Sequence, residues 1–326
     1  MSLPTFQLLR PRTLDEAIAL LSTHADEVKV VAGGTDVLPS MKQKLFTPLF
    51  VLDLHGINEL RGIETTSDGV SIGALTSLAA IEHSPLIRRD YRVLYEAVKT
   101  VASPVLRNMG TLGGNICLDT RCLWYNQSLL WRKSCGFCLK KDGDLCHVAP
   151  GGKTCWAAFS GDTPPALLCL GADVEIAGPN GVRRVPLAEF YVNDGIARLH
   201  LSPNEVVTQV YLPATTQGWR GSYQKLRVRG SIDYPLAGVA VALKLRNGRI
   251  EDARMAITAV NPAPHLVKDI DAQLVGMEVG EELAETVGEL AARTAKPLTT
   301  SALTPEYRRE MVKIFAKRAL LDAAAN

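Results

Sequence analysis

Six of the seven cysteines, Cys117, Cys122, Cys135, Cys138, Cys146 and Cys155, share one stretch of the 326-residue chain, and only Cys169 stands apart. An odd count in a chain of this length argues against a disulfide framework, and local clustering favours metal. Cys135 and Cys138 form the one close pair, CGFC, while Cys122, Cys146 and Cys155 are widely spaced. A structural zinc site usually takes two close pairs. An iron–sulfur cluster takes four thiolates and accepts irregular spacing. Spacing alone leaves iron–sulfur, zinc and free thiols open, with Cys135 a rival of Cys138. The basic Lys140 and Lys141 after Cys138 favour its thiolate. Cys117 reads as a structural thiol and Cys169, in LLCLGA, as a core thiol. His147 reads as an exposed loop histidine. Lys140 and Lys141 read as a solvated face, with steering of an acidic redox protein as the alternative.

A second chemistry lies in two glycine stretches, AGGTD at 32–36 and GTLGGN at 110–115. Paired glycines after an apolar strand let backbone N–H groups converge on an anion and let the backbone approach a pyrophosphate closely. Thr35, Thr111 and Asn115 add neutral donors. Either stretch alone is also an ordinary tight turn. Neither matches GxGxxG or GxxxxGKT, which argues against Rossmann and P-loop sites.

Several elements must position these residues. RTLDEAIALL starts a helix with capping-box spacing at Thr13 and Glu16. VKVVAGGTDVLPSMKQKL reads as strand, glycine turn and helix, and LFVLDL at 49–54 as a further strand. That order suggests a small α/β unit with parallel pairing. GVSIGALTS alternates like a strand, and YRVLYEAVKTVAS is helical with Leu94, Val98 and Val101 on one face. Asn180-Gly181 and Asn247-Gly248 mark hairpin turns. Two helices close the chain, near 280–296 and from Thr304, with Pro305 at its first position, to about 323.

Composition excludes some functions. Hydrophobic residues are 47% and charged residues 21%, and the net charge is +2. No strong field for nucleic acid or an anionic membrane follows. No apolar run reaches the roughly 18 residues of a membrane span. The amino-terminal stretch lacks a secretory pattern, so a cytoplasmic location is expected. No Ser–His–Asp or paired-carboxylate spacing appears.

Taken together, KVVAGGTDVLP, SPVLRNMGTLGGNI and SGDTPPALLCLGADVEI resemble the flavin-binding subunit of the xanthine oxidase (molybdenum hydroxylase) family. YQKLRVRGSIDYPLAGVAVAL resembles that family's C-terminal domain. The resemblance implies an α+β fold: a small parallel α/β lobe at 1–57, an antiparallel α+β lobe at 58–216, and a C-terminal α+β domain at 217–326. It implies FAD between the first two lobes, with both glycine loops on its pyrophosphate. Carried over residue by residue, it implies contacts from Lys29, Val30, Val31, Ala32, Gly33, Gly34, Thr35, Asp36, Val101, Thr111, Gly113, Gly114, Asn115 and Asp162. Gln224 and Lys225 match a less regular contact region, and Asp36 has a helix N-cap as its other reading.

This chain departs from the family pattern in one place. The family runs from GGN to the acidic residue over a short link, whereas 46 residues separate Asn115 from Asp162 here. Roughly 38 of them are extra, placed about 118–158, and they hold most of the cysteines. Their apolar side chains are too few for a core of their own, and a metal centre would supply the missing constraint. The insertion resembles that of the family branch which reductively dehydroxylates 4-hydroxybenzoyl-CoA, whose flavin subunits carry a [4Fe-4S] cluster there. That resemblance implies Cys122, Cys138, Cys146 and Cys155 as ligands. It also implies three partners: a large molybdenum-cofactor subunit, a small [2Fe-2S] subunit, and reduced ferredoxin as electron donor. The same residues admit two other readings, an ordinary molybdenum hydroxylase flavin subunit passing electrons to an external acceptor, and a non-enzymatic subunit with a structural zinc loop.

Overall fold

The computed structural model describes residues 2–326. Three sheets organise the chain. The first is parallel, formed by β1 (Gln7–Leu9), β2 (Val28–Val31) and β3 (Phe50–Asp53), with β3 central. Helix Leu14–His24 connects β1 to β2. Thr13 Oγ1 accepts from the Glu16 N–H at 3.2 Å. The Glu16 carboxylate reaches back to the Arg12 N–H at 2.7 Å, one residue before the donor a reciprocal capping box would use. Ala17 and Leu21, four residues apart, are fully buried against Leu52 and Leu54.

The second sheet is antiparallel. It contains β4 (Ile63–Thr66), β5 (Gly69–Gly73), β6 (Asp173–Gly178), β7 (Gly181–Pro186) and β8 (Val206–Pro213) in the order β4-β5-β8-β6-β7. Ile72, Val174, Ile176 and Val210 pack on Leu94 and Val98 of helix Arg92–Val98 and on helix Thr163–Cys169. The third sheet, also antiparallel, contains β9 (Arg220–Leu226), β10 (Ala237–Arg246), β11 (Arg249–Thr258) and β12 (His265–Leu266) in the order β12-β11-β10-β9. At its long hairpin Asn247 and Gly248 have φ of 51° and 79°, the left-handed pair a two-residue turn requires. Helices Glu281–Thr294 and Pro305–Ala325 cover this sheet. Thr304 Oγ1 caps the second, accepting from the Tyr307 N–H. The architecture is α+β, as expected. No helix among the described residues is long and apolar enough to cross a membrane.

Arg308 is fully buried without a carboxylate partner. Its guanidinium donates to the carbonyls of Leu236 (2.9 Å), Leu298 (2.9 Å) and Ala259 (2.7 Å), three separate chain segments. Burial lowers its pKa to about 10, so it still holds its charge at neutral pH. Arg308→Ala orphans three buried carbonyls, each costing ~1–3 kcal/mol. A loss of at least ~3 kcal/mol is expected in denaturant unfolding of the C-terminal domain.

The inserted residues contain one short helix, Leu129–Ser134, and are otherwise loops. They do not stand free. Leu45 and Phe46 of the first lobe pack with Cys122, Tyr125, Cys138, Cys155 and Ala157. The Arg132 side chain, 1% exposed, donates to the Lys44 carbonyl at 2.6 Å. The Leu123 N–H donates to the Thr300 carbonyl at 2.8 Å. The segment therefore completes its core with side chains of the first lobe and is pinned to both ends of the chain.

Candidate flavin and thiol cavities

The two glycine stretches meet in space. A Cβ on Gly33 would lie 2.1 Å from the Met109 carbonyl oxygen and 2.9 Å from Gly110 Cα, so only glycine allows this contact. Among the described residues, no backbone carbonyl accepts from the N–H groups of Gly33, Gly34 or Thr35. Thr111 Oγ1 accepts from the Gly114 N–H at 3.1 Å, capping the short helix Leu112–Ile116. Asn115 Oδ1 accepts from both the N–H and the hydroxyl of Thr163, at 3.0 and 2.7 Å. That ties the second glycine turn to Asp162.

Together these turns line a cavity of about 750 Å³. Of the residues carried over by resemblance, Lys29, Val30, Ala32, Gly33, Gly34, Thr35, Asp36, Val101, Thr111, Gly113, Gly114, Asn115 and Asp162 face it. Three others do not. Val31 points into the first lobe beside Met41 and Val51. Gln224 bonds Asp322 at 2.6 Å, away from the cavity. Lys225 stands behind Asp162, 2.9 Å from its Oδ2, while the Tyr223 hydroxyl donates to Oδ1 at 2.8 Å. Strand alternation separates Gln224 from its neighbours: Tyr223 and Lys225 share one face of β9.

Asp36 does not cap the helix that follows it. Its Oδ1 accepts from Arg121 (2.9 Å) and from the Tyr234 hydroxyl (2.6 Å), and the Arg121 guanidinium lies 4.0 Å from the Tyr234 ring centre. Three distant parts of the sequence thus close one rim of the cavity. Sequence reasoning missed Arg121, Tyr234, Asp119 and Arg198 as lining residues. No motif marks them, since loop packing alone brings them there. Lys29 is half-buried, with its ammonium 4.7 Å above the Phe46 ring. Burial and then Arg198 lower its pKa.

A second, small cavity lies in the insertion. Cys122, Cys138, Cys146 and Cys155 all line it, with Trp124, Tyr125, Lys140 and His147. All four thiols are buried. Burial pushes Cys122 up to about 11, and its three cysteine neighbours push the same way. Burial also raises Cys155. Cys135 is elsewhere, ending the helix Leu129–Ser134. Gly136 and Phe137, with φ of 78° and 61°, reverse the chain so that Cys138 alone of the close pair enters the cavity. Among the described residues no group of three or more His, Cys, Asp or Glu gathers as one metal ion would require.

The remaining candidates also find places. His147 stacks on Trp124 with ring centres 4.4 Å apart, and its Nε2 is paired with the Phe137 carbonyl. Lys140 does not belong to a solvated face: its side chain is 7% exposed and pairs with Asp119. Cys117 lines the larger cavity, where burial pushes its thiol up to about 11. Cys169 is fully buried, its thiol donating to the Ala240 carbonyl.

Two glycine turns that meet at one large cavity between a parallel and an antiparallel sheet, the first of them with N–H groups that no backbone carbonyl accepts, fit a dinucleotide-binding subunit. Residues 4–215 match the FAD binding domain in molybdopterin dehydrogenase, and residues 221–323 the CO dehydrogenase flavoprotein C-terminal domain. The chain is 29% identical over 322 residues to the carbon monoxide dehydrogenase medium chain of Hydrogenophaga pseudoflava, covering 99% of this chain and 98% of that one. It is 29% identical over 325 residues to the nicotine 6-hydroxylase medium subunit of Paenarthrobacter nicotinovorans, covering 100% and 99%. Against a crystal structure of Cu,Mo-CO dehydrogenase the TM-score is 0.82 at 27% identity, covering 100% of this chain and 99% of that one. The chain belongs to the FAD-binding subunits of the molybdenum hydroxylase (xanthine oxidase) family.

Proposed function

We propose that this chain is the flavin and iron–sulfur subunit of a molybdenum enzyme that reductively dehydroxylates 4-hydroxybenzoyl-CoA to benzoyl-CoA. Its partners are a large molybdenum-cofactor subunit, a small [2Fe-2S] subunit and reduced ferredoxin. Two electrons and two protons enter, and the phenolic oxygen leaves as water. The observation that carries this reading is the insertion: four of its cysteines, from separate loops, line one cavity beside the flavin cavity. Four irregularly spaced thiols, with only Cys138 of the one close pair among them, suit a [4Fe-4S] cluster better than a structural zinc site, which usually takes two close pairs.

When bound, FAD and the cluster would supply one-electron exchange. The protein's own part is binding and shielding. Gly33, Gly34 and Thr35 offer N–H groups to the pyrophosphate. Asp162, held by Tyr223 and Lys225, fixes an acceptor in the flavin cavity. Cys122, Cys138, Cys146 and Cys155 would hold the iron.

The relatives favour a second reading, since CO dehydrogenase and nicotine 6-hydroxylase are oxidative by name. In that case the subunit passes electrons outward to an acceptor. Flavin, iron, sulfide and zinc per chain, followed by an assay of the purified complex with 4-hydroxybenzoyl-CoA and reduced ferredoxin, test the proposal. Expected are one flavin, about four iron and four sulfide, and benzoyl-CoA as product. Zinc in place of iron, or an iron-loaded complex inert toward the thioester, would overturn it.

A further inference from the structure

We infer that the Lys140–Asp119 ion pair is the electrostatic partition between the two cavities, with Lys140 tuning the cofactor on the thiol side and Asp119 the one on the flavin side. The inference rests on the reading that the four thiols hold an iron–sulfur cluster. Its basis is placement. Lys140 lines the thiol cavity, Asp119 lines the flavin cavity, and Lys140 Nζ lies 2.8 Å from Asp119 Oδ1. A single hydrogen bond therefore spans the wall.

The pair is held from every side. Lys140 Nζ also donates to Thr120 Oγ1 (2.5 Å) and the Gly195 carbonyl (2.7 Å), and sits 4.7 Å from the Tyr125 ring centre. Asp119 accepts from the Tyr125 hydroxyl at 3.2 Å, and Arg198 Nε stands 3.7 Å away. Burial raises the Asp119 pKa, but Lys140 and Arg198 outweigh it and hold the carboxyl below its ordinary value. Gly195 packs on the cysteine side of the same wall: its N–H donates to the Cys155 carbonyl, and a Cβ there would lie 2.7 Å from Cys155 Sγ. The Lys140 side chain is 7% exposed, so its charge is weakly screened, while Asp119 and Arg198 are half-buried and partly shielded. Placing Lys140 on the thiol side suits a cluster whose core and four thiolates carry net negative charge.

The two ends of one ion pair should then act with opposite sign. Removing a positive charge makes an added electron less welcome and lowers a reduction potential, and removing a negative charge raises it. Lys140→Met should lower the cluster potential, Lys140→Arg should restore it, and Asp119→Asn should raise the flavin potential. Redox titration of the purified complex, reading the cluster by EPR and the flavin by absorbance, measures both. Iron and flavin content are determined first. Asp119→Asn keeps the shape and an acceptor oxygen, so the test stands even if Lys140→Met fails to fold. Iron-replete variants with unchanged potentials, or both substitutions shifting the same way, would overturn the partition alone. Wild-type protein without iron would overturn it together with the four-thiol reading.

Discussion

Gly33→Ala should strip the protein of flavin. The added methyl would meet the Met109 carbonyl oxygen at 2.1 Å and Gly110 at 2.9 Å, both backbone, so neither can rotate away. The two glycine turns must separate, at a cost of ~1–3 kcal/mol in packing. At ~1.4 kcal/mol per tenfold, that cost corresponds to a roughly 5- to 150-fold loss of flavin affinity. Gly114→Val is the informative partner. Its Cβ would crowd only Thr111 Oγ1, at 2.9 Å, while the branched side chain enters the cavity. It should lose flavin with a smaller fall in melting temperature than Gly33→Ala. Flavin absorbance after gel filtration, beside thermal unfolding, separates the two. Stoichiometric FAD in folded Gly114→Val would place the pyrophosphate elsewhere.

The second large effect is expected at Cys146. Cys146→Ser removes one of four thiols around the smaller cavity, and iron and sulfide should fall from about four per chain to near zero, because cluster assembly is cooperative. FAD and most of the fold should remain. The insertion keeps its contacts with Leu45, the Lys44 carbonyl and Thr300 without metal, so loss of the cluster should loosen it and not unfold it. Reduction by ferredoxin should fall, while reduction of the flavin by a small artificial donor persists. Cys135→Ser, Cys117→Ser and Cys169→Ala should keep full iron, since none of the three lines the thiol cavity. A full cluster in Cys146→Ser, or iron lost in Cys135→Ser, would refute the ligand set.

Much of this molecule is written locally. The Asn247-Gly248 turn, the Thr13 and Thr304 caps, and the glycine turn after β2 depend on short-range backbone chemistry, and each appears where its residues predict. The two glycine stretches and the cysteine run are likewise legible, because few residue types permit close backbone approach or suit a metal. Tertiary structure decided the rest. Which of Cys135 and Cys138 turns inward depends on left-handed backbone at Gly136 and Phe137, and no spacing rule states that. Strand alternation set Gln224 outside and Lys225 behind Asp162. Lys140 looks like a surface lysine in sequence, yet it lies buried because Asp119, Thr120 and Gly195, from two other loops, converge on its ammonium. Asp36, Arg121 and Tyr234 come from three parts of the chain and meet only when the three sheets close. Local chemistry fixes which residues can bind a phosphate or a metal. Which charges stand beside them depends on long-range packing, because a buried ion is tolerated only where the whole fold supplies its partners.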